Sequence, residues 1–324
     1  MAVMSLKAQQ APIIVQTGTT SRIVPTLDSA VRSALNGDFI IIPGGTFRLS
    51  VPINKRLTIY GNGYRADSAG VSGVTTLLAD YFVFSGSGVE NTIISGIDFK
   101  GVVYLDGTPK SLTFNSCFFL GLISERINNP ITNVNFKDCV FGWENYDRLY
   151  SANFTFDNCI MYSSSGFDCF YGCNQNFNNC VFNYRAPNSD LLFRIDGNSY
   201  VTVKNSILFY IFRGWVPIQT GGRFASSNNL VVTEENDITR LGMDINSNQF
   251  KSANFVDSVF IRGTGGFFDY DLHTTSRCNC ADKGIYSGTQ PFRDVPQIPY
   301  VFSRTITPSG NTLNIRVTAK AGSN

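Results

Sequence analysis

A short stretch of the chain brings together carboxylates and cations of the kinds that transfer protons. The set consists of Asp190, Arg194, Asp196, Lys204 and Arg213. Arg194 and Asp196 share one face if they belong to a strand, because residues two apart point the same way. Lys204 would begin the next turn of the chain. Such a cluster could bind an acidic sugar and abstract a proton, but a salt-bridged outer surface without catalysis is the favoured interpretation.

His273 is the only histidine, so a catalytic triad would have to use it. It ends the polar segment Asp-Tyr-Asp-Leu-His at residues 269–273, which is typical of a loop. We therefore expect a surface histidine. Acid–base chemistry by carboxylates alone stays open, because a pair of carboxylates suffices for glycoside hydrolysis.

Four of the eight cysteines occupy one slot of a repeated pattern: Cys117, Cys139, Cys159 and Cys180. If the repeats stack, their Cβ atoms lie ~4.8 Å apart, which is farther than the ~3.8 Å typical of a disulfide. We predict a structural ladder of reduced, buried thiols, against the alternative of a disulfide or metal column. No zinc-like ligand spacing is present, so no metal site is predicted.

The remaining cysteines are predicted in loops: Cys169, Cys173, Cys278 and Cys280. Any disulfide is expected among these four.

Aromatic residues crowd the middle of the chain. The glycan-binding candidates are Trp143, Tyr146, Tyr150, Tyr162, Tyr171 and Tyr184, with Phe170 beside them. Exposed on a flat surface, such rings could hold a sugar chain. The alternative, equally favoured, is that several of them fill the core or pack under loops.

These candidates sit within a repeat. Apolar and polar residues alternate, then come Asn or Asp, then Cys or Ser, and then two apolar residues. The slot of the Cys or Ser recurs at intervals of 20, 22, 20, 21 and 26 residues from Ile97 to Ser206. A period in the low twenties with strand-like alternation predicts one solenoid coil per repeat. Leucine-rich repeats would need Leu at fixed places, and propellers need a repeat of roughly 40 residues.

The predicted fold is all-β, a parallel β-helix with two or three short strands per coil. The Asn or Asp of each repeat is expected at a bend, because Asn tolerates the left-handed region at low cost. Residues 26–37 have helical spacing at Leu27, Ala30, Val31, Ala34 and Leu35, followed by an Asn-Gly stop, and predict an N-terminal helical cap. From about Cys280 the chain leaves the repeat and is predicted to close the other end as strands.

The segment AVRSALNGDFIIIPGGTF, within residues 27–47, resembles the entry segment of pectate-lyase-like β-helix proteins. The repeated F-x-N-C-x-F coils resemble secreted bacterial right-handed β-helix proteins. This resemblance covers roughly residues 25–320 and implies right-handed coils and an extracellular or cell-surface location. The polygalacturonase-like catalytic elements Asp-Asp and Gly-His-Gly do not occur in the sequence.

The sequence divides into a flexible N-terminus or signal remnant (residues 1–24), the β-helix with its N-terminal cap (25–280) and a C-terminal capping segment (281–324). Only 15% of residues are charged and the net charge is +2, so no basic patch for nucleic acid is expected. No apolar run approaches the ~20 residues of a membrane span.

We expect a secreted or surface-exposed, non-catalytic β-helix that binds glycan or builds an envelope assembly, with polysaccharide or envelope proteins as partners. No cofactor is predicted, although the lyase-like resemblance leaves calcium possible. One alternative is a polysaccharide lyase or glycoside hydrolase acting on an acidic polysaccharide. A second is a phage tailspike or fibre module.

Overall fold

A computed structural model gives the structure of the chain. It describes residues 12–65, 73–124, 131–142, 148–150, 152–163, 167–170, 172–184, 193–210, 218–233, 242–252, 259–261, 271–287, 292, 300–309 and 312–320.

The first of two large sheets has 11 strands in the order β2-β1-β3-β5-β7-β9-β11-β14-β17-β20-β23. Their bounds are β1 Ile13–Thr17, β2 Thr20–Val24, β3 Phe39–Ile41, β5 Thr58–Tyr60, β7 Ile93–Ser95, β9 Thr113–Asn115, β11 Ile131–Lys137, β14 Ala152–Asp157, β17 Asn174–Asn178, β20 Tyr200–Lys204 and β23 Arg223–Ser227. β1 pairs antiparallel with β2 and β3, and from β3 onward every pairing is parallel.

The second large sheet has 14 strands, and all of its pairings are parallel. Their bounds are β4 Gly45–Arg48, β6 Thr75–Ser85, β8 Asp98–Asp106, β10 Phe118–Ser124, β12 Val140–Phe141, β13 Arg148–Tyr150, β15 Ile160–Ser163, β16 Phe167–Phe170, β18 Val181–Tyr184, β19 Phe193–Ile195, β21 Ile207–Tyr210, β22 Ile218–Thr220, β24 Leu230–Thr233 and β25 Gln249–Ser252. From β3 onward, each strand of the first sheet is followed along the chain by one or two strands of the second sheet. The molecule is therefore an all-β parallel solenoid, as the repeat predicts.

The second sheet divides after β10 into two ladders. One ladder runs through β12, β15, β18, β21, β24 and β25, and the other through β13, β16, β19 and β22. Before that point, the long strands β6, β8 and β10 contribute to both ladders and bend at register shifts. Such bulges turn a strand around a corner. The middle coils therefore have three short strands each.

Stacked phenylalanines fill the core. Phe114, Phe136, Phe156 and Phe177 lie one coil apart, with ring centroids separated by 5.2, 4.9 and 4.6 Å and ring planes within 9° of parallel. All four side chains are buried. Residues in the same slot of successive coils thus pack on their own kind, which is why one apolar pattern serves many coils.

The bends after the strands of the first sheet use left-handed backbone. φ lies between 49° and 55° at Ser116, Asp138, Asn158, Asn179, Asn205 and Asn228. At this bend each backbone N–H donates to a carbonyl of the next coil, as Asn158 does to Asn178 at 3.0 Å. The prediction that the Asn or Asp before the Cys slot sits at a bend is confirmed.

The helix α1 spans Leu27–Ser33 and is shorter than the sequence predicts. Thr26 Oγ1 accepts a hydrogen bond from the Ser29 N–H, and Leu27, Ala30 and Val31 are buried. The prediction that Leu35 is a helical core position is wrong, because the backbone is already extended at Ala34 and Leu35 is 61% exposed. The Leu35 N–H donates instead to the carboxylate of buried Asp38, which draws the chain out of the helix. A short 3₁₀ turn spans Ser87–Val89.

Two small antiparallel sheets complete the described structure. β26 (Phe260–Ile261) pairs with β27 (Asp271–Thr274), and β28 (Tyr300–Ser309) pairs with β29 (Thr312–Lys320). The C-terminal segment is therefore rich in strands, as expected. Residues 278–287, at the beginning of this segment and just before it, lie along the side of three successive coils, where Asn228, Asn205 and Asn179 contact them.

The left-handed corners yield a stability prediction. Asn158 has φ 53°, is buried, and donates from Nδ2 to Asp138 Oδ1 at 3.3 Å. We expect Asn158→Gly to lower the free energy of unfolding by about 1 kcal/mol, because side-chain hydrogen bonding is lost while glycine adopts the left-handed backbone without strain. Asn158→Ala should cost about 1–2 kcal/mol more, since Ala is strained in the left-handed region. Urea denaturation of both variants measures the difference, and equal stabilities would show that backbone strain does not select this residue.

Candidate functional site

The predicted catalytic set does not assemble on one sheet. Arg194 lies in β19 of the second sheet, whereas Lys204 ends β20 of the first sheet. Asp196 lies beyond the end of β19, so its expected strand position beside Arg194 is wrong. Its Oδ1 atom accepts from the Ser199 hydroxyl at 2.5 Å and the Asn198 N–H at 3.3 Å, which makes Asp196 the residue that forms the turn into β20.

The remaining members of that set, Asp190 and Arg213, lie outside the described residues.

His273 is exposed, as predicted, but it lies in strand β27 rather than in a loop. Its ring stacks on Tyr286, with a centroid separation of 3.7 Å and planes 6° from parallel. The histidine therefore contributes to packing around residues 278–287.

The four thiols of the repeated slot are free and completely buried. Each lies about 3.3 Å from the carbonyl oxygen two residues earlier in its own coil, as Cys159 Sγ does from Asp157. Burial raises the pKa of the Cys117 and Cys159 thiols. Ser206 continues the column, and its hydroxyl donates to Lys204 O at 2.7 Å.

The other four cysteines divide into two kinds. Cys278 and Cys280 form a disulfide, so the expectation of a disulfide within the second set is confirmed. Cys173 lies between strands, and its buried thiol is reduced and accepts a hydrogen bond from Gln175 Nε2 at 3.7 Å. The loop prediction for Cys169 is wrong, because it belongs to β16.

The aromatic candidates separate as follows. Tyr162 is 3% exposed, so its prediction as an exposed sugar-binding ring is wrong. It belongs to the outer face of the second sheet, which other apolar side chains cover. Tyr150 lies in β13, Tyr184 in β18 and Phe170 in β16. The structure describes the strands but not these three side chains.

Trp143, Tyr146 and Tyr171 lie outside the described residues.

A cleft of about 480 Å³ opens where the chain turns into the later strands of the first sheet. Its lining consists of Asn174, Gly197, Asn198, Ser199, Tyr200 and Arg223. Asn174, Tyr200 and Arg223 are register partners on β17, β20 and β23. Tyr200 keeps 37% of its surface exposed, and Asn174 Nδ2 donates to Asn153 Oδ1 one coil earlier at 2.7 Å.

The cleft adjoins a column of uncharged polar residues on the outer face of the first sheet. In register, one coil apart, stand Thr113, Asn135, Thr155, Asn176 and Thr202. Thr202 Oγ1 donates to Asn176 Oδ1 at 2.6 Å, so these side chains also connect across coils. The column repeats at the ~4.8 Å strand spacing. Its exposed members are Asn135 and Asn176, whereas Thr202 is only 9% exposed.

A second cleft, of about 520 Å³, lies beside the bulges of β6 and β8. Its lining includes exposed Tyr81, Arg48, Asp80 and Lys100. Lys100 Nζ lies 3.1 Å from Asp98 Oδ1 and 4.8 Å from the centroid of the Phe118 ring. The charges in this cleft are mixed in sign, and they define no single ligand class.

Sequence reasoning missed Tyr200, Asn174 and Arg223. The available signal was their place in the repeat, because each begins a strand of the first sheet and points outward. Within the described residues, no group of three or more His, Cys, Asp or Glu side chains could hold a metal ion. No helix in the described part of the chain is long and apolar enough to cross a membrane.

No family model, curated protein or solved structure matches this chain.

The buried thiols make stability depend on pH. An unfolded thiol ionises near pH 8.5, whereas Cys159 stays neutral in the fold because burial raises its pKa. The stabilisation that Cys159 contributes to the free energy of unfolding is therefore complete below about pH 8.5 and is lost as pH rises above that value. We expect Cys159→Ser to reduce the fall of unfolding free energy between pH 9 and 10.5 by up to about 1.4 kcal/mol per pH unit.

Urea denaturation across this pH range measures the slope. Ser206→Ala, in the same column, is the matched control and should leave the slope unchanged. Identical slopes for Cys159→Ser and the unaltered protein would show that this thiol titrates alike in both states.

Proposed function

We propose that this chain is a non-catalytic β-helix that binds an extended glycan on the outer face of its first sheet. The observation that carries the proposal is the Asn174–Tyr200–Arg223 cleft and its continuation into the uncharged polar column. An aromatic ring beside amide and guanidinium donors suits a sugar, which has an apolar face and a hydroxyl rim.

The geometry of the column supports an extended ligand. Its hydroxyl and amide groups repeat along the solenoid axis, one per coil. A polysaccharide also repeats along one axis, so successive sugar units could meet successive coils. A compact ligand would gain nothing from the repetition.

The finer assignments belong to the same proposal. The resemblance of residues 27–47 to pectate-lyase-like proteins supports right-handed coils and a capping role for α1. The Cys278–Cys280 disulfide supports a secreted or cell-surface location, because disulfides persist in oxidising compartments. A structural role in an envelope assembly, a phage tailspike and a calcium requirement remain predictions of the sequence.

Tyr200→Ala tests the binding site. We expect it to weaken binding to a glycan identified on an array by about tenfold, because the sugar loses its stacking surface. Tyr81→Ala, which removes an exposed tyrosine from the other cleft, is the control and should bind normally. Affinity electrophoresis in glycan-containing gels measures both. Loss of binding in Tyr81→Ala alone would place the site in the other cleft.

A depolymerisation screen tests the non-catalytic part of the proposal. We expect no release of reducing ends or unsaturated products from any polysaccharide that binds, since Arg194 and Lys204 lie in different sheets. Turnover by the pure protein would contradict this. If Arg194→Ala and Lys204→Ala then left such turnover unchanged, the sequence-predicted set would also be excluded as its site.

A further inference from the structure

Residues 278–287, named here the strap, pack against the side of the solenoid. The strap and Phe292 pack against the apolar outer face of the ladder β15-β18-β21-β24, on which Phe260 of β26 also packs through its contact with Phe209. The residues of that face, each at most 5% exposed, are Ile160, Val181, Ile207 and Leu230. Cys278, Cys280, Ile285 and Phe292 belong to the same buried cluster.

The strap follows the line of corner asparagines. The Gly284 N–H donates to Asn205 O at 2.8 Å, Asn228 Nδ2 donates to Asp282 Oδ2 at 3.0 Å, and Ser287 Oγ donates to Asn179 Oδ1 at 3.2 Å. It thus spans three coils with one described hydrogen bond to each.

Gly284 marks the closest approach of strap and coil. Its φ is +82°, and a Cβ at this position would lie 2.9 Å from Ile207 Cδ1. Any other residue would be strained in this backbone conformation, and its Cβ would have to displace the end of the Ile207 side chain.

The coils keep their own hydrogen bonds without the strap. β18, β21 and β24 form a continuous parallel ladder in which the strap takes no part. Detachment of the strap would leave that ladder intact. It must precede any reduction of the disulfide, because Cys278 and Cys280 are only 2% and 0% exposed.

The disulfide is too local to stabilise the whole fold strongly. It links cysteines two residues apart, and the chain-entropy relation gives a ring of about three residues only about a 15-fold effect on the unfolding equilibrium, against roughly 150-fold for a 15-residue loop. Its ring fixes the strap's first turn, where Asn279 has φ 51°. Its effect therefore falls mainly on the conformation of the strap.

We propose that Cys278–Cys280 is a redox-sensitive latch: a dithiol reduces it when the strap opens locally, and the reduced strap then stays released and uncovers apolar residues on the outer face of the second sheet. One thiolate of the dithiol attacks a sulfur of the disulfide, and the other protein sulfur leaves as a thiolate and takes up a proton. The second thiol of the dithiol then displaces the mixed disulfide. The protein gains two electrons and two protons, and the dithiol becomes a disulfide.

The test reduces the full-length protein with dithiothreitol under native conditions, then alkylates it and locates the labels by mass spectrometry. We expect labels on Cys278 and Cys280, while the buried thiols that form no disulfide in the described residues stay unlabelled: Cys117, Cys139, Cys159, Cys173 and Cys180. Simultaneous labelling of all these positions would mean that reduction requires global unfolding, and would overturn the proposal.

Two variants separate the latch from the strap. In Cys278→Ser/Cys280→Ser, hydrogen exchange of peptides covering residues 281–287 should accelerate about tenfold and binding of an apolar dye should rise, with the coil ladder still protected. Gly284→Ala should produce the same opening with the disulfide intact. Unchanged exchange in the double variant would show that the disulfide is no latch, and loss of ladder protection would show that the strap is part of the global fold.

Discussion

The structure depends on the stacking of one coil on the next through parallel backbone hydrogen bonds. This constraint fixes the distance between coils, so each slot of the repeat meets the same slot above and below. Phenylalanines therefore stack at 4.6 to 5.2 Å along the core. The left-handed corners preserve the stack, because each turns the chain at the same point of the coil and its N–H donates a hydrogen bond to a carbonyl of the next coil.

The sequence predicted the elements that this constraint repeats. The Asn or Asp corner and the buried thiol slot could be found because they recur with a nearly constant period, and the period follows from the coil. The end of α1 could not be predicted in the same way. It depends on one carboxylate, that of Asp38, which captures the Leu35 N–H from outside the helix. A single side-chain contact of this kind leaves no periodic signal.

The candidate site was harder to predict than the fold for a related reason. Asn174, Tyr200 and Arg223 are neighbours because their strands pair in register. The loops between these strands differ in length. Their spacing in the sequence is irregular, although their spacing in the solenoid is one coil. Tyr162 shows the converse problem: alternation predicts that it points out of the core, but it cannot reveal that other parts of the chain cover that face.

The two outer faces of the solenoid therefore differ in what they can do. The outer face of the first sheet carries a column of hydroxyl and amide groups, among which Asn135 and Asn176 are exposed to water. The second sheet offers Val181, Ile207 and Leu230, whose exposure would cost free energy in proportion to their apolar area. The strap removes that cost. Exposed polar side chains therefore remain on the first face, whereas residues 278–287 occupy part of the second face.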